Sequence, residues 1–103
     1  MTKGWFIGDF EPTLFKTKDF EVGVKTYKAG DYEPEHHHRV STEYTVILNG
    51  EVEMNGQKYE SGSIIEIKPF ESTDFRVLSD TFTVVVKIPS SKNDKYNGKY
   101  THA

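Results

Sequence analysis

Cysteine is absent from all 103 residues, which excludes a disulfide framework and thiolate metal ligation and leaves nitrogen and oxygen as the only strong donors for a metal ion. No run approaches the ~20 consecutive apolar residues that a membrane-spanning helix requires, and the start, Met1 to Phe6, has neither an apolar stretch nor a small-residue cleavage site. A soluble, cytoplasmic protein with no membrane partner is the expectation. Clustered positive charge is also lacking. The 13 Lys and Arg stand against 16 Asp and Glu, a formal net charge of −3, which offers no footprint for nucleic acid. Finally, no segment carries a helical repeat of apolar residues.

What is present is a globular composition, 35% hydrophobic and 28% charged, in a chain long enough for one domain with one modest core. From Phe20 to Lys28, Phe20, Val22 and Val24 alternate with Glu21, Gly23 and Lys25, and Ala29-Gly30-Asp31 then turns the chain. Tyr44 to Leu48 is a second strand. Asn55-Gly56, between Glu51–Met54 and Gln57–Glu60, is a hairpin signal, because a type I′ turn needs positive φ at both central residues. The two-residue loop sets Met54 opposite Gln57, Glu53 opposite Lys58 and Val52 opposite Tyr59. Further strands are expected at Ile64 to Ile67, Phe75 to Leu78 and Thr81 to Ile88. In the last, Phe82, Val84, Val86 and Ile88 share one face, and Thr81, Thr83 and Lys87 share the other.

Many short strands with no helix predict an all-β fold, a small antiparallel barrel or jelly roll, with one domain over 1–103 and its core about 20–88. The polar tail 89–103 is expected to be poorly ordered or docked on the surface, and His102 within it reads as a solvated terminal residue. Exposed strand edges, together with an aromatic-rich N-terminal segment (Trp5, Phe6, Ile7, Phe10) that has no assigned place in the core, predict a homodimer.

Three of the four histidines fall in Glu35-His36-His37-His38-Arg39. On an extended backbone His36 and His38 point together and His37 points away. Two imidazoles at i and i+2 can grip one transition-metal ion, and a bend through Val40-Ser41-Thr42 could return Glu43 beside them. Tyr27, Tyr32, Tyr44, Phe75 and Arg39 are candidates for a pocket mouth, although aromatic residues in a small β domain more often serve the core or an interface.

The series Gly30, five residues, His36, one residue, His38, four residues, Glu43, six residues, Gly50 resembles the first motif of the cupin superfamily at every defined position. More loosely, the resemblance covers about residues 20–88. It implies a small β-barrel of the double-stranded β-helix type, in which His36, His38 and Glu43 hold a divalent Fe, Mn, Ni or Zn ion inside the barrel. The second cupin motif departs from its pattern. Counting from Gly62, Lys68 stands at its proline and Thr73 at its histidine, the fourth ligand; a one-residue slip onto Pro69 makes that ligand Asp74.

Two His and one carboxylate with open positions are a facial-triad arrangement. The leading expectation is therefore a metal-dependent enzyme of oxygenase, isomerase or lyase type acting on a small oxygen-bearing metabolite, with His38, Glu43 and Tyr44 as candidate catalytic residues. One alternative is a metal-free sugar or sugar-nucleotide isomerase or epimerase with His38 as base and Tyr44 as acid. The other is a non-catalytic module that binds a sugar or similar small molecule.

Overall fold

The computed structural model describes residues 3–101, so His102 lies outside the described residues. Eleven strands are present among the described residues: β1 Trp5–Gly8, β2 Phe15–Lys16, β3 Glu21–Tyr27, β4 Tyr32–His37, β5 Thr42–Asn49, β6 Glu51–Met54, β7 Gln57–Glu60, β8 Ile64–Ile67, β9 Ser72–Val77, β10 Thr81–Ile88 and β11 Tyr96–Asn97. No helix among the described residues is long and apolar enough to cross a membrane. One sheet orders its strands β2-β1-β3-β10-β5-β8 and the other β11-β4-β9-β6-β7. All pairings are antiparallel except that of β1 with β2. The all-β architecture expected from the period-two patterning is the one observed.

Local chemistry explains the corners. Gly30 joins β3 to β4 and Gly50 joins β5 to β6, and in each case the chain leaves one sheet for the other. Their φ values are 96° and 106°, a left-handed region that a β-carbon disfavours. Asn55 and Gly56 have φ of 50° and 77°, and β6 pairs with β7 in the expected register: Met54 with Gln57, Glu53 with Lys58, Val52 with Tyr59. Although Glu53 stands opposite Lys58, Lys58 makes its ion pair diagonally with Glu51 (2.6 Å), and Glu53 lies 4.0 Å from Arg76.

The interior has two halves. Near the Gly30 and Gly50 corners, Ile47, Val52, Met54, Phe75 and Val77 form the buried cluster, with Tyr27, Tyr59, Ile65 and Ile67 packed against it. Burying a side chain such as Ile47 or Val52 stabilises the fold by about 1.5–3 kcal/mol. The half nearer the β4–β5 connection is polar and contains a cavity.

That division decides which face of β10 is inside. Thr81, Thr83 and Val85 are buried, whereas Phe82 and Ile88 are exposed, so the more apolar face of this strand points outward. Across the sheet Val24, Val84, Val46 and Ile64 lie in direct register and form an outward apolar row, with Ile64 71% exposed. The N-terminal segment has a place after all, since β1 pairs with β3 and sets Trp5 opposite Gly23.

Candidate functional site

β4 runs from the Gly30 corner towards His36 and ends at His37, and β5 carries the chain back from Thr42 to Asn49 before Gly50. The gaps in the first motif are thus strand lengths: one strand up to the histidines, a short loop, and one strand down from Glu43. Alternation turns His36 and His38 into the cavity and His37 out of it. The cavity has a volume of about 310 Å³, and His36, His38, Glu43, Thr45 and Thr73 line it, with Met54, Phe75 and Tyr27 as apolar wall.

The two lining imidazoles are 5.8 Å apart between centroids and nearly perpendicular. His36 Nδ1 donates to the Pro34 carbonyl at 3.0 Å, since a carbonyl only accepts; this leaves the Nε2 lone pair for a ligand. Burial, with Lys87 and His36 nearby, lowers the His38 pKa to about 4, so its ring is neutral at pH 7. Burial raises the Glu43 pKa, against the pull of Lys87, and Thr45 Oγ1 donates to Glu43 Oε2 at 3.3 Å. This donor set, two imidazoles and one carboxyl group, fits a divalent cation in its chemistry. Its side chains are not closed on a common point: among the described residues, no three His, Asp or Glu side chains form a ready-made metal-holding group.

Thr73 pairs with His36 across β4 and β9, is buried, and lines the cavity. Asp74 does not; its carboxylate accepts from Asn55 N–H at 2.9 Å on the opposite face.

Tyr44 requires a correction. Alternation along β5 sends it to the outer face, where its hydroxyl donates to Glu66 at 2.9 Å, so it cannot act in the cavity. Of the other pocket candidates, Tyr27 and Phe75 line the cavity, while Tyr32 sits under Arg76 outside it. Arg39 lies 3.9 Å from the Tyr96 ring and donates through Nε to His37 Nε2 at 3.1 Å. His37, only 2% exposed, donates through Nδ1 to Gly98 O at 2.8 Å and stacks on Tyr96, a structural role.

The docked tail contributes more than its composition suggests. Buried Asp94 accepts from the backbone N–H groups of Arg39 (2.9 Å), Val40 (3.1 Å) and Ser41 (2.9 Å), and so clamps the loop between His38 and Glu43. Trp5, Lys3, Lys25, Lys87, Lys95 and Glu33 also line the cavity and were missed. Lys25 and Lys87 occupy the polar faces of β3 and β10; assigning those faces to the interior is the signal that would have found them.

Comparison with known proteins decides the fold. No protein-family model matches the sequence, and no curated protein matches it. Solved structures do match. A conserved protein with a double-stranded β-helix domain from Klebsiella pneumoniae superposes with a TM-score of 0.71 at 22% identity, over 82% of this chain and 74% of that one. This chain has the cupin fold. An RmlC-like cupin from Desulfovibrio desulfuricans aligns with a TM-score of 0.64 at 23% identity, over 74% of this chain and 77% of that one. The DMSP lyase DddQ from Ruegeria pomeroyi aligns with a TM-score of 0.73 at 21% identity over 88% of this chain, which spans 48% of the lyase.

Proposed function

We propose that this cupin is a metal-dependent enzyme acting on a small oxygen-bearing metabolite, with His36, His38 and Glu43 holding a divalent Fe, Mn, Ni or Zn ion. The observation that carries the reading is the pair of inward imidazoles, one with its Nε2 lone pair free and the other kept neutral by burial, beside a cavity-lining carboxylate. When bound, such an ion polarises a substrate oxygen as a Lewis acid. The chain's own residues do the rest. Pro34 O orients the His36 ring, Thr45 holds Glu43, Asp94 fixes the loop between the ligands, and Met54, Phe75 and Tyr27 supply an apolar wall. Thr73, too short to replace an imidazole, leaves that side open to substrate.

A metal-free isomerase is less well supported, because its tyrosine acid is missing. Tyr44 faces away, and burial and the neighbouring Glu33 make the cavity tyrosine, Tyr27, hold its proton far more tightly than usual.

Calorimetric titration of Ni(II) or Zn(II) into untagged protein tests the reading. His36→Ala and His38→Ala each abolish binding, Glu43→Gln weakens it strongly, His37→Gln leaves it nearly unchanged, and Thr73→His tightens it. A wild type that binds neither ion, or a His37→Gln as harmful as His36→Ala, overturns it.

The homodimer is likewise proposed, now on the outer face of the larger sheet. The row Val24, Val84, Val46, Ile64 carries no charge, so two copies can pair it without like-charge repulsion. Sedimentation at tens of micromolar is expected to show a dimer that Val84→Glu dissociates; a monomeric wild type refutes this.

A further inference from the structure

The sign of charge inside the cavity is opposite to that of the whole molecule. The chain is net negative, −3, yet four lysines (Lys3, Lys25, Lys87, Lys95) line the cavity against two glutamates, Glu33 and Glu43. Two of the four sit on the barrel's inner faces. Lys25 lies one inward step beyond Gly23 on β3; Lys87, opposite Glu21, lies one inward step to the other side. Gly23 itself faces Trp5, and a β-carbon there would come within 2.7 Å of the indole. The missing side chain therefore lets the Trp5 ring settle over the strand between the two lysines. Lys25 Nζ lies 4.9 Å and Lys87 Nζ 5.2 Å from the ring centroid.

Neither ammonium has a carboxylate within 4.0 Å among the described residues, whose ion pairs use Lys16, Lys58, Lys68 and Arg76 instead. Burial, together with Lys87, Lys3 and Lys95, lowers the Lys25 pKa against the opposing pull of Glu33. Crowding like charges on the inside of a barrel is unfavourable unless a counter-ion completes the site.

We propose that Lys25 and Lys87, set about the Trp5 ring, form an anion subsite that binds the carboxylate of a small organic acid, whose carbon skeleton lies against Trp5 and the apolar wall of Tyr27 and Phe75. The inference rests on the reading of this cavity as a substrate site, and it names the substrate class. A carboxylate fits better than a phosphate group. The lining has two inward ammoniums but no arginine fork, and among the described residues no helix N-terminus is present to satisfy a third oxygen. The volume of about 310 Å³ limits the ligand to a small metabolite.

Trp5 is the only tryptophan, so its fluorescence reports on this wall directly. Protein kept metal-free with a chelator is titrated with benzoate, with its neutral analogue benzamide and with phenyl phosphate. Benzoate is expected to change the emission saturably and to bind about 10-fold or more tighter than benzamide, an advantage that shrinks with added salt. Lys25→Met and Lys87→Met each weaken benzoate about 10-fold or more while leaving benzamide unchanged. The proposal is overturned if benzoate gives no saturable change, if benzamide binds as tightly, if both variants stay within about 3-fold of wild type, or if phenyl phosphate binds about 10-fold tighter than benzoate. The benzoate and benzamide comparison needs no variant, so misfolding cannot mask the answer. Ni(II) calorimetry on the same wild type separates the two readings: a protein that prefers benzoate but binds no metal keeps the anion subsite and loses the metal centre.

Discussion

Replacing Asp94 by Ala removes the carboxylate that accepts three backbone N–H groups of the loop between His38 and Glu43. Its carboxylate takes the N–H groups of Arg39, Val40 and Ser41, and it reaches them from a segment 53 to 55 residues away in sequence. The three donors differ in what replaces Asp94. Arg39 and Val40 are exposed, so water can satisfy their N–H groups, but Ser41 is 1% exposed and its N–H would be orphaned. An orphaned buried N–H costs about 1–3 kcal/mol, and exchanging two charge-assisted bonds for water adds about 1 kcal/mol more, giving a loss of roughly 2–4 kcal/mol. For a domain of this size that is a fall in Tm of about 10–25 °C, readable by circular dichroism melting. The pH dependence supplies a second check. Burial alone would raise the Asp94 pKa, yet the N–H donors of Arg39, Ser41 and Val40 together bring it below its ordinary value. A carboxylate depressed in the folded state stabilises above its unfolded pKa and stops doing so as pH falls through its folded one, so the gap between wild type and Asp94→Ala closes only below about pH 4. A gap under about 5 °C at pH 7, or one that closes near neutrality, refutes the clamp.

Three further outcomes are expected. His38 has a folded pKa of about 4 against about 6.5 unfolded, so its unfolded form takes up the extra proton and stability falls between those values; from pH 7 to 5 the loss is about 2 kcal/mol. Buried Glu43, raised instead, contributes the opposite slope, so urea unfolding of wild type is compared with His38→Asn, which lacks the His38 contribution; parallel profiles would refute it. Thr83→Val removes a buried hydroxyl that has no hydrogen-bond partner and is expected to raise stability by about 1 kcal/mol in thermal melts, with any destabilisation counting against the reading. Gly23→Ala drives its β-carbon into the indole of Trp5 and is expected to shift the emission of that single tryptophan; an unchanged spectrum would show that the ring does not lie over β3.

The central strands were legible in the sequence because their signals are local, whereas β1, β2 and β11 were not. Period-two alternation marks strands, and Asn55-Gly56 sets both the turn and the register of its hairpin, since positive φ there matches the twist of the flanking strands. The opposite facing of His37 from His36 and His38 follows from the same alternation, and the gaps from Gly30 to Gly50 were readable because they are strand lengths between sheet-switching corners. Alternation says which residues share a face, but it does not say which face is inside. On β10 the usual assumption, apolar inward, inverts the strand, because half of this barrel's interior is a polar cavity while its outer face is apolar. Only the tertiary structure therefore turned Lys25 and Lys87 inward and Tyr44 outward, chose Thr73 over Asp74 beside His36, and brought Asp94 across the chain to the loop between the histidines and Glu43. Each of these depends on pairing between distant strands or on docking of the tail, and no short window of sequence contains both partners.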